Sequence, residues 1–384
     1  MNEQLNDELD DTRTNSVDRR SFLIGLGIGA VGITAGSSMA PSESFCSETA
    51  PTAKGVKVHH EWDSLKEVVV GYPFFKIGKS IPRQTLNDLP TGTYEWAMEL
   101  CRRHHGKTLT DAEPKLQEQI VRQIDGAISI LRKHGVKVHQ VKPWEPEEES
   151  YLSHLIDGGV LMFPRDPMVV IGDVFIETAT LLPPRRKERF PIRRTLGERL
   201  DSVKVLSMPE PLPIWNNEKE KAPAGNQPFL EGGDTFVMGR DIYVGNSGNA
   251  SSTLGIQWLQ KALGPEYRVH EVPLSRGFLH LDCALATPRR GLALVCREAF
   301  VQGLPEFLRD WEIIDVSYED AKERLGCNGL ILDDKTILIA EELPHLADGL
   351  TKAGQTVMTT PFSAVYKFGG AFRCWHHPLI RDSQ

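Results

Sequence analysis

The chain has 384 residues, of which 40% are hydrophobic and 25% charged, a composition that excludes the disordered and fibrous classes. Its formal net charge of −8 argues against nucleic acid as a partner. The six cysteines are widely spaced and form no CxxC pair, so the sequence indicates neither a metal site nor a dense disulfide framework. Five of them we expect to be buried or incidental.

The first forty residues look like a targeting segment. Arg19 and Arg20 stand before an uncharged, Gly-rich stretch that runs from Ser21 to Met39. This pattern resembles a twin-arginine export signal, and the small residues around Ala40 would permit cleavage after it. The alternative is an uncleaved membrane anchor, which the five glycines of the stretch disfavour.

We therefore expect an export signal over residues 1–40, a linker over residues 41–60 and a single catalytic domain over residues 61–384. The expected localisation is periplasmic, and the twin-arginine translocation machinery is the expected partner in export.

Short apolar, β-rich runs recur from Glu61 onward, and each is paired with a second run across a short charged or Gly-containing turn. Hairpin modules fit this pattern best. The runs are Lys66–Tyr72, Met162–Ile176, Asp234–Val244, His280–Val295 and Asn328–Ile339.

Amphipathic helical patterns separate the strand runs. The predicted helices are Glu113–His134, Ser252–Leu263, Arg297–Leu308, Tyr318–Leu325 and Glu341–Ala353. The order strand, strand, helix, strand repeats, and units of this kind must stack on their neighbours to bury their apolar faces. Closure of the stack into a ring would leave no open sheet edge.

The segment Leu181–Leu230 departs from the repeat, because it holds a basic run and then a long polar loop. We interpret it as an excursion over the surface, whose arginines form a solvated face or, less readily, attract an acidic group. Trp215 within it is either a lid or an aromatic that covers the core.

Cys374 is the candidate nucleophile. It follows the flexible pair Gly369-Gly370 and stands beside an arginine and two histidines, surroundings that can lower the pKa of a thiol. A buried structural cysteine is the competing interpretation.

Several polar residues stand where strands are expected to start. His280 and Asp282 are two apart on a predicted strand, which would project both side chains from one face. Asp234 and Asp166 each follow residues that force a tight backbone, and burying a carboxylate there is costly unless it meets a cation. Carboxylates around a thiol and a histidine suit a planar guanidinium through paired hydrogen bonds.

At this point the motifs resemble the guanidino-group modifying enzymes, and among them the amidinotransferases of the glycine and inosamine-phosphate type. The resemblance spans roughly Glu61 to His377. It depends on five ordered motifs, HEWDSLKEVVVG, FPRDPMVVIGDVFIE, EGGDTFVMGRDIYVG, FLHLD and GGAFRCWHH. It implies a five-bladed α/β propeller with pseudo-fivefold symmetry, the pentein type, built of ββαβ modules.

The resemblance also implies roles. Cys374 would be the nucleophile, His280 the general acid and base, and Asp234 its carboxylate partner, while Asp166 and Asp282 would hold the guanidinium. No cofactor or metal is implied. The thiolate would take an amidino group from an arginine-like donor and pass it to an amine acceptor. A homodimer is compatible with the resemblance.

Substrate choice stays open at the sequence level. Ala299 stands where those enzymes carry an arginine for the substrate carboxylate, although Arg297 and Arg290 are near in sequence, and Ala321-Lys322 replaces a pair of serines. Two alternatives to transfer remain: a deiminase-like hydrolase, in which water resolves the intermediate, and a non-catalytic protein that binds guanidino compounds.

Overall fold

Repeated three-stranded units make up the fold. The computed structural model describes residues 55–81, 89–151, 159–211 and 227–383 of the chain. The predicted export signal and Trp215 lie outside these ranges. Within them the strands form five three-stranded sheets.

All five sheets share one plan, in which the central strand pairs antiparallel with one neighbour and parallel with the other. The first sheet contains β15 (His376–Asp382), β1 (Ser64–Val70) and β2 (Lys137–Gln140). Strands from both ends of the sequence therefore share one sheet.

In the other four sheets the first two strands form a hairpin, as the sequence predicted, whereas the first run, Lys66–Tyr72, pairs with β15 and β2 and not across a short turn. The second sheet contains β3 (Met168–Ile171), β4 (Val174–Glu177) and β5 (Lys204–Ser207). The third contains β6 (Thr235–Met238), β7 (Asp241–Asn246) and β8 (Arg268–Pro273). The fourth contains β9 (Leu285–Arg289), β10 (Leu292–Val295) and β11 (Glu312–Asp315). The fifth contains β12 (Leu330–Asp333), β13 (Thr336–Ala340) and β14 (Thr356–Thr360).

Helices connect the second and third strands of most units. The helices are α1 (Thr93–His104), α2 (Leu109–Ala112), α3 (Pro114–Lys133), α4 (Pro146–Ser150), α5 (Pro183–Arg186), α6 (Arg189–Leu196), α7 (Thr253–Leu263), α8 (Tyr318–Glu323), α9 (Pro344–Lys352), α10 (Ser363–Tyr366) and α11 (Phe372–Trp375). The predicted helices that correspond to α3, α7, α8 and α9 are confirmed. No helix within the described ranges is long and apolar enough to cross a membrane.

One predicted helix is wrong. Residues 297–308 form two single 3₁₀ turns, Arg297–Ala299 and Glu306–Leu308, instead of one α-helix. Gly303 between them has φ of +80°, a left-handed backbone that interrupts a helix, and Pro305 has no N–H to donate to a helical hydrogen bond.

The segment Leu181–Leu230 is also more structured than predicted. It supplies α5, α6 and β5, so its described part completes the second sheet.

At the N-terminal side, the packed chain begins before the predicted boundary at Glu61, because Val56 and Val58 are buried and His60 forms a bridge to Met238.

The core follows from burial on both faces of the sheets. Every residue of β3, β4 and β10 is buried, which explains why these runs lack a polar alternation. Helix α3 packs one face into the same hydrophobic cluster as β10, with Ile120, Ile124 and Leu131 at helical spacing.

Candidate active site

One strand position recurs in all five sheets and carries the polar site residues. Each sheet has one outer strand that runs antiparallel to the central strand, and a polar residue or the cysteine stands one to three positions before that strand begins. These residues are Asp166, Asp234, Asp282, Asn328 and Cys374. Each is buried. Hydrogen bonds between these segments show that the five strand starts meet in one place.

Cys374 lies at the centre of this arrangement, on the one-turn helix α11. Its Sγ accepts a hydrogen bond from Asn328 Nδ2 at 3.2 Å and lies 3.4 Å from Asp282 Oδ2. Burial and the Asp282 carboxylate raise the pKa of the thiol to about 12, and His280 opposes that shift. The sequence expectation of a lowered thiol pKa is therefore wrong for the free protein.

The histidines that follow Cys374 do not supply the expected positive charge. Burial, together with Arg165, lowers the pKa of both His376 and His377 well below the ordinary range. Their neutral rings belong to β15, where His376 Nδ1 bonds to Phe372 O at 2.7 Å.

His280 faces a set of carboxylates. Its Nε2 lies 2.8 Å from Glu231 Oε2, and its Nδ1 lies 3.7 Å from Asp166 Oδ1. Burial alone would lower the pKa of this ring, but Asp166, the Cys374 sulfur and Glu231 raise it well above the ordinary value. His280 is therefore an imidazolium at neutral pH and can donate a proton.

Asp234, predicted as the partner of His280, makes other contacts. Its Oδ1 accepts from Leu281 N at 3.0 Å and its Oδ2 from Ser251 N at 3.1 Å. Burial raises the pKa of Asp234 to about 7. The carboxylate at hydrogen-bond distance from His280 is that of Glu231, and the predicted role of Asp234 stays a prediction.

Asp166 is held on both oxygens. Oδ1 accepts from Gly233 N at 2.9 Å, and Oδ2 accepts from Arg185 Nη1 at 2.6 Å. His280 and Arg185 keep the pKa of this carboxyl below its usual range although burial opposes them. Arg185 in turn makes a paired contact with Glu188, with both N···O distances at 3.0 Å.

These contacts correct the interpretation of the basic run as a solvated face. Arg185 is mostly buried beside Asp166, and Arg186 is buried against the backbone oxygens of Thr180 and Pro211. Arg193 pairs with the buried carboxylate of Glu177. The run is therefore only partly solvated: Arg185 and Arg186 are directed inward, whereas Arg193 reaches a buried carboxylate from the surface.

Asp282 belongs to a second buried ion-pair network. Its Oδ2 accepts from Arg373 Nη1 at 3.1 Å, and Arg373 Nη2 also contacts Glu61 Oε2 at 3.2 Å. The Arg373 guanidinium lies 4.0 Å from the centre of the Phe236 ring. Glu61 thus supports Asp282 through one arginine.

His280 and Asp282 do not lie on a strand, contrary to the prediction. Leu281–Cys283 forms a single 3₁₀ turn before β9, and His280 precedes that turn. Both side chains still reach the site because the tight turn folds them toward Cys374.

Two glycines let the backbone approach this closely. A Cβ on Gly232 would lie 2.0 Å from Arg165 O, and one on Gly233 would lie 2.5 Å from the His280 ring. A side chain at Gly233 would push Asp166 and His280 apart, and one at Gly232 would collide with the backbone next to Asp166.

Three functional residues were missed from the sequence, namely Glu231, Asn328 and Arg185. Glu231 opens a quoted motif and Asn328 opens a predicted strand run, so position within the repeat was a usable signal. Arg185 had no such signal, because its partners are set only by the tertiary fold.

The residues noted as possible carboxylate clamps lie elsewhere. Arg297 pairs with Asp315 at the surface, and Arg290 lies in the turn between β9 and β10. Ala299 is buried, and Lys322 donates to Gly277 O at 2.8 Å.

A cation could be held by Asp166, Glu231 and His280, whose nearest ligand atoms all lie within 4.8 Å of one another among the described residues. In this structure the imidazolium of His280 occupies the centre of that group and is itself the positive charge. A second cation there would have to displace its proton.

The arrangement defines a thiol nucleophile with an imidazolium acid beside it and carboxylates on either side. Such a site supports attack of sulfur on a planar cation, with proton transfer to the leaving group. The Asp282 carboxylate that raises the thiol pKa in the free protein also attracts that cation.

Comparisons with known proteins agree with this class. The family model described as "N,N dimethylarginine dimethylhydrolase, eukaryotic" matches residues 102–381. Inosamine-phosphate amidinotransferase 1 of Streptomyces glaucescens is 27% identical over 346 residues, which cover 83% of this chain and 94% of that protein. L-arginine:L-lysine amidinotransferase of Pseudomonas savastanoi pv. phaseolicola is 26% identical, with 82% of this chain and 91% of that protein covered.

A solved structure gives the same result. SxtG, an amidinotransferase from Microseira wollei in the saxitoxin biosynthetic pathway, is 25% identical and has a TM-score of 0.70, with 86% of this chain and 98% of that chain covered. The chain therefore belongs to the dimethylarginine dimethylhydrolase family, within the superfamily that also contains the amidinotransferases.

Proposed function

We propose that the protein is an amidinotransferase, which moves an amidino group from arginine or a related guanidino donor to an amine through an amidino-cysteine intermediate. The observation that carries the proposal is the position of Cys374 Sγ, in contact with Asn328 and Asp282 and beside the charged ring of His280. Relatives named as amidinotransferases align with most of this chain and favour transfer to an amine over hydrolysis.

In the first half-reaction the donor guanidinium binds between Asp166 and Asp282. Its positive charge lowers the pKa of Cys374, and the thiol proton leaves to solvent. The thiolate attacks the guanidinium carbon, a C–S bond forms, and the C–N bond to the leaving amine breaks as His280 donates its proton to that nitrogen. Asp234, in its ionised form, favours the charged form of His280.

In the second half-reaction the neutral His280 takes a proton from the acceptor amine. The amine attacks the same carbon, the new C–N bond forms, and the C–S bond breaks to return the thiolate. Glu231 holds the ring through Nε2 in both steps. No metal or cofactor is required by this sequence of steps.

Mass spectrometry of the protein with arginine, alone and with a panel of amines, tests the proposal. We expect an amidino adduct on Cys374 with release of ornithine, and a new guanidino product only when an amine is present. Cys374→Ala should abolish the adduct, whereas Cys283→Ser is the matched control, since Cys283 is a buried thiol next to Asp282 that should not form one. Absence of any adduct with arginine and related guanidines would support a binding protein instead.

Hydrolysis is the second candidate, favoured by the dimethylhydrolase family model that matches residues 102–381. The covalent step is the same, but water resolves the intermediate. Citrulline from arginine, formed without any amine, would establish the hydrolase and reject transfer.

We also propose that the five units close into a five-bladed propeller with pseudo-fivefold symmetry. The identical strand plan of the sheets and the shared sheet of β1 and β15 support this closure. A crystal structure with an open arrangement of the units would contradict it. A homodimer also stays a prediction, which sedimentation velocity would test.

Export through the twin-arginine route to the periplasm is our proposal for localisation, supported by the sequence around Arg19 and Arg20. A reporter fused behind residues 1–60 should reach the periplasm, and replacing both arginines by lysine should retain it in the cytoplasm. Export of the double variant at an unchanged level would reject this route.

A further inference from the structure

A cavity of about 600 Å³ lies at the opposite ends of the strands that carry the active site. Its wall includes Arg290 in the turn between β9 and β10 and Asp334 in the turn between β12 and β13. Asp282 and Asn328 stand at the starts of the same two hairpins. The cavity and Cys374 are therefore separated by about a strand length, roughly 13–17 Å.

Aromatic rings form one side of the cavity. Trp62 and Trp311 meet edge to face with ring centres 5.9 Å apart. Phe307 lies 5.4 Å from Trp311 and 4.3 Å from Tyr243, which extends the wall. All four residues are only partly buried, so their rings present surface on which a flat or apolar group can stack.

Most of the charged groups around the cavity already have partners. Asp241 pairs with Arg268 and His270, and Asp63 with His60. Arg290 and Asp334 differ, since neither makes an ion pair or a side-chain hydrogen bond with any residue that the structure describes. The Oδ1 atom of Asp334 is buried without a hydrogen-bond partner there.

One unpaired cation and one unpaired anion thus line the same cavity without contacting each other. A ligand that carries both a carboxylate and an ammonium group would satisfy both, because Arg290 can bind the carboxylate and Asp334 the ammonium. The volume lies within the range of small-molecule sites, and the lining of the cavity is mostly polar, which suits a ligand with two charged groups.

We propose that this cavity is a second binding site, which takes a free α-amino acid with a flat or apolar side chain. The carboxylate of the ligand pairs with Arg290, its ammonium with Asp334, and its side chain stacks on the aromatic wall. The site is independent of the proposed transferase activity, since none of its residues contacts Cys374 or His280.

Isothermal titration calorimetry of the full chain with L-phenylalanine tests the proposal. This probe lacks the guanidino group on which the proposed active-site chemistry depends, and the cavity variants distinguish binding here from binding at the active site. We expect saturable binding at one site, and at least tenfold weaker binding of phenethylamine and of 3-phenylpropionate, which each lack one of the two charges. Arg290→Gln and Asp334→Asn should each weaken binding of L-phenylalanine at least tenfold.

Matched controls exist in two other hairpin turns. Arg240 and Asp173 are exposed turn residues that do not line the cavity, so Arg240→Gln and Asp173→Asn should bind like the unmodified protein. Thermal unfolding of all four variants checks that each is folded. The proposal is overturned if no saturable heat appears up to ~10 mM ligand, if Arg290→Gln and Asp334→Asn bind like their controls, or if phenethylamine binds as tightly as the amino acid.

Discussion

Asn328 holds Cys374 from two directions. Its Nδ2 donates to the sulfur at 3.2 Å, and its Oδ1 accepts from the backbone N–H of Cys374 at 3.1 Å. The same Oδ1 accepts from the N–H groups of Ala371 and Arg373. A single buried side chain therefore positions the loop that carries the nucleophile and also supplies a donor to the sulfur, where negative charge develops as the thiolate forms.

Asn328→Asp separates these two functions. The variant keeps an oxygen for the three N–H groups but puts a carboxylate beside the sulfur in place of a donor, so it should raise the pKa of Cys374 further. We expect amidino-adduct formation to slow by about 10–100-fold, the equivalent of one hydrogen bond to a charged group. Asn246→Asp, a change at a more exposed amide that contacts Glu271, is the control and should leave the rate unchanged.

A second prediction concerns the protonation of the thiol. Because the pKa of Cys374 is raised to about 12, the thiolate fraction in the free protein grows about tenfold for each pH unit below that value. Alkylation of Cys374 by iodoacetamide, followed by peptide mass spectrometry between pH 7 and pH 10, should show that slope. His280→Gln removes a charge that stabilises the thiolate and should slow alkylation at every pH, whereas a rate that is already constant near pH 7 would contradict the raised pKa.

The repeated hairpins could be predicted from the sequence because each is local, with two apolar runs on either side of a short turn. The convergence of Asp166, Asp234, Asp282 and Cys374 on one region also followed, since each precedes the same strand of its unit. Residues at equivalent positions of the sequence repeat therefore lie at equivalent positions of the five sheets.

Features that depend on distant partners could not be predicted in this way. The burial of Arg185 requires Asp166, 19 positions away, and its role is invisible in a run of bases. Whether Glu231 or Asp234 contacts His280 depends on a single 3₁₀ turn, Gly232–Asp234, which directs the two carboxylates differently. The helix expected over Arg297–Leu308 does not form, because Gly303 and Pro305 interrupt a segment whose apolar spacing is helical.

Glu67 predicts a pH dependence of stability. It is buried on β1 beside His139, Arg199 and Lys137. Burial opposes ionisation, but His139 and Arg199 lower the pKa of Glu67 from 4.5 to about 2. Since the pKa is lower in the folded state, the stabilisation is present above pH 4.5 and is lost as the pH falls toward 2.

Glu67→Gln should therefore reduce the free energy of unfolding by about 2–3 kcal/mol at pH 7, measured by urea denaturation. The difference from the unmodified protein should shrink steadily below pH 4.5. Glu118→Gln, at an exposed pair with Arg122, serves as the control with an effect of about 0–1 kcal/mol at either pH. A constant difference across this pH range would mean that the charge of Glu67 does not stabilise the fold.

Arg185 provides the last prediction, because it is the cation shared by two buried carboxylates. Without it, Glu188 would lose its paired cation and Asp166 would keep only His280, and the pKa of Glu188 is already raised to about 7 by its burial. Arg185→Gln should lower the free energy of unfolding by about 3–5 kcal/mol and weaken binding of the guanidino donor, since the pKa of Asp166 would rise and its oxygen would lose its partner. Arg194, on the neighbouring helix α6, pairs with Glu148 at a more exposed position, so Arg194→Gln should cost only about 0–1 kcal/mol.

Adding Glu188→Gln to Arg185→Gln removes one uncompensated carboxylate and should restore part of the lost stability, which a double-mutant cycle by urea denaturation would measure. If the double variant is as unstable as the sum of the two single changes, Arg185 and Glu188 are not coupled, and Arg185 stabilises the site through its other contacts, with Asp166 and Phe163 O.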